Sequence, residues 1–179
     1  MTGAPRLPGF RGEYLWELGI LERQIMASAE AVPADKYSWQ PNSQARSVSA
    51  VFVHVAASNF ILLDAGGVPV PKDLYGEVSG DGIERFLGLI PRSCELEYNI
   101  LEKDAVIRVL KRSLKAVSDS FSQLTDAEIE RRLQFYEEET TVRRVYLRLL
   151  GHAHHHTGQM IAYLRSNGID PPCTGWSRT

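Results

Sequence analysis

Apolar residues recur at three- and four-residue intervals along four stretches of the chain, and the segments between them carry turn chemistry without strand alternation. The pattern predicts an all-α protein. Residues 11–31 place Tyr14, Leu15, Leu18, Leu21, Ile25 and Met26 on one helical stripe, with Arg and Glu on the opposite face. The following VPADKYSWQPNSQAR contains two prolines, an Asp and an Asn, and reads as an irregular connection. The second helix is expected over about 47–64. Its core, SVSAVFVHVAASNFILL, has no formally charged residue, and Ser47 is a fitting N-cap. A helix with no charged face must be buried on most sides, at the centre of a bundle or against a partner. It falls short of a usual membrane span and carries Ser, Asn and His, so no membrane partner is expected.

Residues 64–92 are rich in Gly, Pro and Asp and read as a long excursion. The third helix is expected over about 93–122, with Ile107, Leu110, Leu114, Val117 and Phe121 at helical spacing, broken near Asp104 or beginning there. TDAE, from Thr125, has the form of an N-cap followed by acids and predicts a short helical turn, and LQFYEEETT after it has room for a small hairpin. The fourth helix is expected over about 141–166, stopped by Asn167-Gly168 and kept from continuing by Pro171-Pro172. One domain over residues 1–179 follows: an up-down four-helix bundle with long loops, short extra helices and a small hairpin.

A chain of this length can bury a core without disulfides or a structural metal, so any metal would serve function. The net charge of -2, with signs mixed throughout, gives no nucleic-acid footprint and points to a small partner. Cys94 and Cys173 lack CxxC spacing and are expected to be isolated reduced thiols. The opening MTGAPRLPGF lacks the basic start and apolar run of a signal peptide, so a cytoplasmic location is expected.

Four of the five histidines lie in residues 152–156, inside the last helix. Val142, Val145, Leu149, His156, Met160 and Tyr163 recur at three- and four-residue steps, and His152 travels with them. His152 and His156 are therefore one turn apart on the apolar face, the spacing at which two imidazoles converge on one ion. His154 is rotated about 200° from His152 and faces away, while His155 lies at the stripe's edge. The remaining histidine, His54, sits in the charge-free second helix, which must pack on something apolar. Taken alone, His54 reads as a hydrogen-bonded core residue. Taken with the other two, it completes three nitrogens between two helices.

Three neutral imidazoles without a carboxylate suit Zn or Ni first, then Fe, Cu or Mn, and leave a position open for a water or thiol to be activated. HExxH is absent, which excludes a zincin, and no ExxH pairs appear, which excludes a di-iron bundle. Asp64, Glu137 and Glu138 lie near loop ends and are expected to be solvated carboxylates. Gln159, Asn59 and His155 are candidates for pocket or supporting roles.

VPADKYSWQPNSQARSVSAVFVHVAASN and HAHHHTGQMIAYLRSNGIDPP together resemble the DinB-like, or YfiT-like, metal-dependent four-helix-bundle family. The first is similar to its Pro-x-x-x-Tyr-x-Trp-x-Pro segment leading into a histidine-bearing helix. The second is similar to its His-x-x-x-His-x-Gly-Gln ending, followed by YLR, a glycine and prolines. The resemblance covers the chain from the first helix to Pro172. It implies His54, His152 and His156 as metal ligands, and a fold shared with thiol-dependent isomerases and S-transferases, in which the metal activates a small thiol toward an electrophile. It also implies a homodimer. Thr157 stands where that family commonly has Arg, which removes any role of that Arg in holding an anion, and His154 stands where a small residue is usual. The alternative function is a non-catalytic, dimeric metal-binding bundle of a stress response; a metal-free bundle with relic histidines is the third.

Overall fold

The computed structural model describes residues 9–135 and 137–172; the expectations for the opening residues before Gly9 and for Cys173 lie outside them. Helix α1 spans Gly9–Ala31 and buries Tyr14, Leu18, Leu21 and Ile25, the stripe read from its spacing. A short 3-10 turn, Ala34–Lys36, begins the connection to α2 (Val48–Gly66). Ser47 caps α2 as its residue type requires: its backbone is extended and its side chain accepts a hydrogen bond from the Ala50 N–H at 3.3 Å. Gly67, at φ +104, closes the far end with its N–H on the Asp64 and Leu63 carbonyls.

Beyond α2 the structure departs from the expected long excursion. A single turn, α3 (Lys72–Tyr75), is followed by a full helix, α4 (Gly82–Asn99), and a separate α5 (Lys103–Gln123). The expected third helix is thus two helices, parted where Ile100 and Glu102 are extended. Gly82 and Pro91 read as breakers, yet Phe86, Leu89, Ser93 and Glu97 keep a helical period through Pro91 and are all buried. Packing of that face overrides the local cost of the proline. The expected short turn is α6 (Asp126–Ile129), opened by a capping box between Thr125 and Glu128. The hairpin is β1 (Arg132–Phe135) paired antiparallel with β2 (Glu138–Thr141), Arg132 opposite Thr141. Helix α7 (Val142–Ser166) ends at Asn167, with Gly168 at φ +69.

Side-chain pairs fix the direction of each long helix. Tyr14 at the start of α1 stacks near Phe121 at the end of α5, while Lys103 at the start of α5 donates to the Val32 carbonyl just past the end of α1, so these two run antiparallel. Tyr14 also meets Tyr146 at the start of α7, which makes α1 and α7 parallel. The end of α2 lies beside the start of α7, at Gly66 and Val145. The start of α4 meets the end of α2 through Arg85 and Asp64. The chain therefore reverses at every step through α1, α2, α4, α5 and α7. Helices α1, α2, α5 and α7 form the four-helix core, in which α1 and α2 each pack on α5 and α7, and α4 covers the remaining side of α2.

That arrangement explains the absence of charge on α2. Fourteen of its nineteen residues are buried against α4, α5 and α7, so the chain itself supplies every surface this apolar helix needs and no partner is required to cover it. Although long and apolar enough to cross a membrane, α2 is a core helix here. Asp64 at its end is not the solvated carboxylate expected. Its oxygens accept from Arg85 at 2.6 and 2.8 Å and from the Val70 N–H at 3.1 Å, which clamps α4 and the loop after α2 onto the bundle. Glu137 and Glu138 are exposed as expected.

Phe52 has no exposed surface. Phe52→Ala is expected to lower unfolding free energy by about 3–5 kcal/mol, against about 1 kcal/mol for Ser47→Ala, which removes only a cap. Equilibrium denaturation checks the pair; equal losses would contradict the central place given to α2.

Candidate metal centre

His54 is carried on α2 two turns from its start, and His152 and His156 stand one turn apart on the antiparallel α7. The packing of α2 on α7 brings the three rings together, with centroids 5.1 Å (His54–His152), 4.8 Å (His54–His156) and 4.6 Å (His152–His156) apart. One nitrogen from each lies within 4.8 Å of the others. The Nε2 atoms of His54 and His152 are 3.2 Å apart.

Two of the three rings have a partner on their outer side. His54 Nδ1 lies 2.7 Å from Oε1 of Glu97, which as an ionised carboxylate can only accept, so His54 carries its proton on Nδ1 and turns the Nε2 lone pair inward. Arg46 donates from Nε to the other oxygen of Glu97 at 2.6 Å. His156 Nδ1 donates likewise to Oε1 of Gln159 at 2.8 Å. Gln159 in turn donates to the Tyr163 hydroxyl at 3.0 Å, and Tyr163 donates to the Arg46 backbone carbonyl at 3.1 Å. Arg46 thus ends both chains, with its guanidinium behind His54 and its carbonyl behind His156.

The electrostatics favour neutral imidazoles at His152 and His156. Burial first, then the neighbouring His156 and His54, push the His152 pKa down to about 3. Burial also lowers that of His156, against an opposing hydrogen bond to Gln159. For Glu97, burial pushes upward, but the hydrogen bonds from His54 and Arg46 outweigh it and hold the carboxyl below its usual range. His152 Nδ1 is buried without a partner. Three imidazoles with one nitrogen of each within 4.8 Å of the others form the donor set that a borderline-soft divalent cation takes up. The residues present fit such an ion.

Residues 18–160 match the sequence model of the DinB superfamily. The chain belongs to this superfamily. Among solved structures it is similar to a DinB-like protein of Bacillus cereus ATCC 10987, with TM-score 0.69 at 15% identity over 92% of this chain and 96% of that one. A DinB-like protein of Bacillus subtilis has TM-score 0.55 at 16% identity, covering 90% and 96%. These likenesses are of fold. No curated protein matches the chain.

In this DinB chain a cavity of about 370 Å³ lies against the centre and reaches His54 and His152. Ile61 and Leu62 of α2 with Phe86, Leu87 and Ile90 of α4 give it a mostly apolar wall. Of the residues expected in supporting roles, Gln159 holds His156. His155 is exposed, its ring edge-on to that of His156 at 5.1 Å. Asn59 does not belong to the site: it is buried in the core and donates to Ser113 of α5. His154 is half-buried and outside the cluster. The Thr157 hydroxyl donates to the Ala153 carbonyl within its own helix.

Glu97 and Arg46 are the contributors that sequence reasoning misses. A signal for Glu97 exists: a lone carboxylate in register with the buried positions Phe86, Leu89 and Ser93. Glu97→Gln keeps the shape and removes the charge behind His54. It is expected to weaken zinc binding roughly tenfold in a chelator competition, with the helical circular dichroism retained. Unchanged affinity would show that Glu97 does not tune the histidine.

Proposed function

We propose that His54, His152 and His156 hold one divalent transition metal, zinc or nickel first, and that the protein is a metal-dependent enzyme of thiol S-transferase type. The observation that carries this reading is the cavity, which brings a largely apolar space directly against His54 and His152. An ion bound there supplies Lewis acidity that lowers the pKa of a thiol or water brought to it and makes a nucleophile at neutral pH. Glu97 fixes the tautomer and orientation of His54, and Gln159 does the same for His156. The apolar walls from α2 and α4 receive the electrophile. The partners proposed are a small-molecule thiol and an electrophilic substrate in the cytoplasm, with no nucleic acid and no membrane. A hydrolase using water is the variant within the same site.

A second reading, a dimeric metal-binding protein without turnover, draws on one observation. Ile83, Leu87, Ile90, Tyr98 and Leu101 lie along and just past α4, and all five are exposed. Such a set is more apolar than a solvated helix face needs and would serve a homodimer.

Two measurements separate the readings. Untagged protein is expected to carry about one metal ion per chain by elemental mass spectrometry, lost in His54→Ala. The loaded protein is then expected to accelerate consumption of a small thiol by 1-chloro-2,4-dinitrobenzene, and His54→Ala is not. Metal binding with thiol consumption at background would favour the second reading, and wild-type protein that takes up no metal would overturn both.

A further inference from the structure

The charged groups around the cavity do not cancel. Arg46 and Glu97 line it as an ion pair at 2.6 Å and together contribute no net charge. That leaves Arg148, which lines the same cavity from α7 one turn before His152 and has no ion pair or hydrogen bond among the described residues. Its guanidinium is exposed to solvent and carries five donors in a planar fork that suits a carboxylate. Arg148 and the next arginine along that face, Arg144, also line an adjoining groove with Glu137 and Glu138, so Arg148 stands at the boundary between an outer groove of mixed charge and the inner cavity. The inner cavity is therefore an apolar cleft with Arg148 at its mouth, held by no ion pair or hydrogen bond among the described residues.

We propose that this cleft binds an amphiphilic carboxylate, with its apolar part on Ile61, Leu62, Phe86, Leu87 and Ile90 and its anionic head on Arg148, beside the three histidines. At about 370 Å³ the space lies in the range of small-ligand sites. The inference deepens the enzymatic reading above and rests on it for the meaning of the bound molecule, which would be the substrate or the thiol carrying its own carboxylate. Arg148 is then a specificity-determining residue: it selects for charge at one end of the ligand and takes no part in holding the metal.

Octanoate and its neutral analogue octanamide serve as probes, titrated into isotope-labelled protein as purified with its metal and followed by NMR. Octanoate is expected to shift amides along α2 and α4 and to bind roughly two- to fivefold more tightly than octanamide, a difference of the size one solvent-screened ion pair supports. Arg148→Gln is expected to bring octanoate to the level of octanamide, Arg148→Lys to keep most of the preference, and both to leave metal content unchanged. Because Arg148 is exposed, neither change disturbs the core. Equal binding of the two probes by wild type would overturn the proposal, and so would a preference that survives in Arg148→Gln, since the carboxylate would then be held by the metal or elsewhere. Metal content and thiol consumption are read separately. An Arg148-dependent preference in protein without metal would sink the proposed function and leave the carboxylate cleft standing.

Discussion

Helix α2 carries no charge from Val48 to Leu63, and the layout of the molecule follows from the need to bury it on every side. A helix in a four-helix bundle presents one face to the core and leaves the opposite face to water. Here α5 and α7 take the core-facing side of α2, and α4 is laid over the side that would otherwise be wet. The consequence for function is direct. His54 is the one imidazole on α2, and it ends up in the seam where α4 supplies Glu97 and α7 supplies His152 and His156.

Polar groups placed in such a seam must be satisfied or they destabilise the fold. The solution is two chains of hydrogen bonds that meet at Arg46. One runs from His54 through Glu97 to the Arg46 guanidinium, and the other from the Arg46 carbonyl through Tyr163 and Gln159 to His156. Arg46 lies immediately before the cap of α2, so the start of that helix and the aim of two histidines are set together. The edge-to-face contact of Trp39 with Tyr163 extends the same support to the connection after α1. His152 stands outside both chains, with Nδ1 unpartnered, which marks it as the ring whose environment is incomplete without a further group.

Local spacing alone makes the histidine cluster legible. The i,i+4 interval of His152 and His156 on an apolar stripe, and the lone His54 in a helix that has to be buried, carry the convergence by themselves. Helices α1, α2 and α7 are legible for the same reason, down to the Ser47 cap and the Asn167-Gly168 stop. Helix α4 is legible only from about residue 93, because Gly82 and Pro91 are strong local breakers, and only tertiary packing decides that a period running through them wins. Glu97 falls within the expected helix, but without the first half of α4 the buried face that Phe86 and Leu89 define is missing, and its carboxylate passes for a solvated one. Asn59 is ambiguous in the sequence because a polar residue in a buried helix can turn to the site or to the core. Its partner, Ser113, is far away along the chain. Asp64 passes for a solvated acid because Arg85 reaches it across the same unexpected helix.

The central claim is that three imidazole nitrogens from two antiparallel helices hold one metal. X-ray absorption at the zinc edge of the loaded protein tests it most directly. The account predicts a shell of three imidazole nitrogens at about 2.0–2.1 Å with one further light ligand, and the imidazole shell diminished in His156→Ala. A sulfur shell near about 2.3 Å, or a shell of oxygens without the outer scattering of imidazole rings, would contradict it.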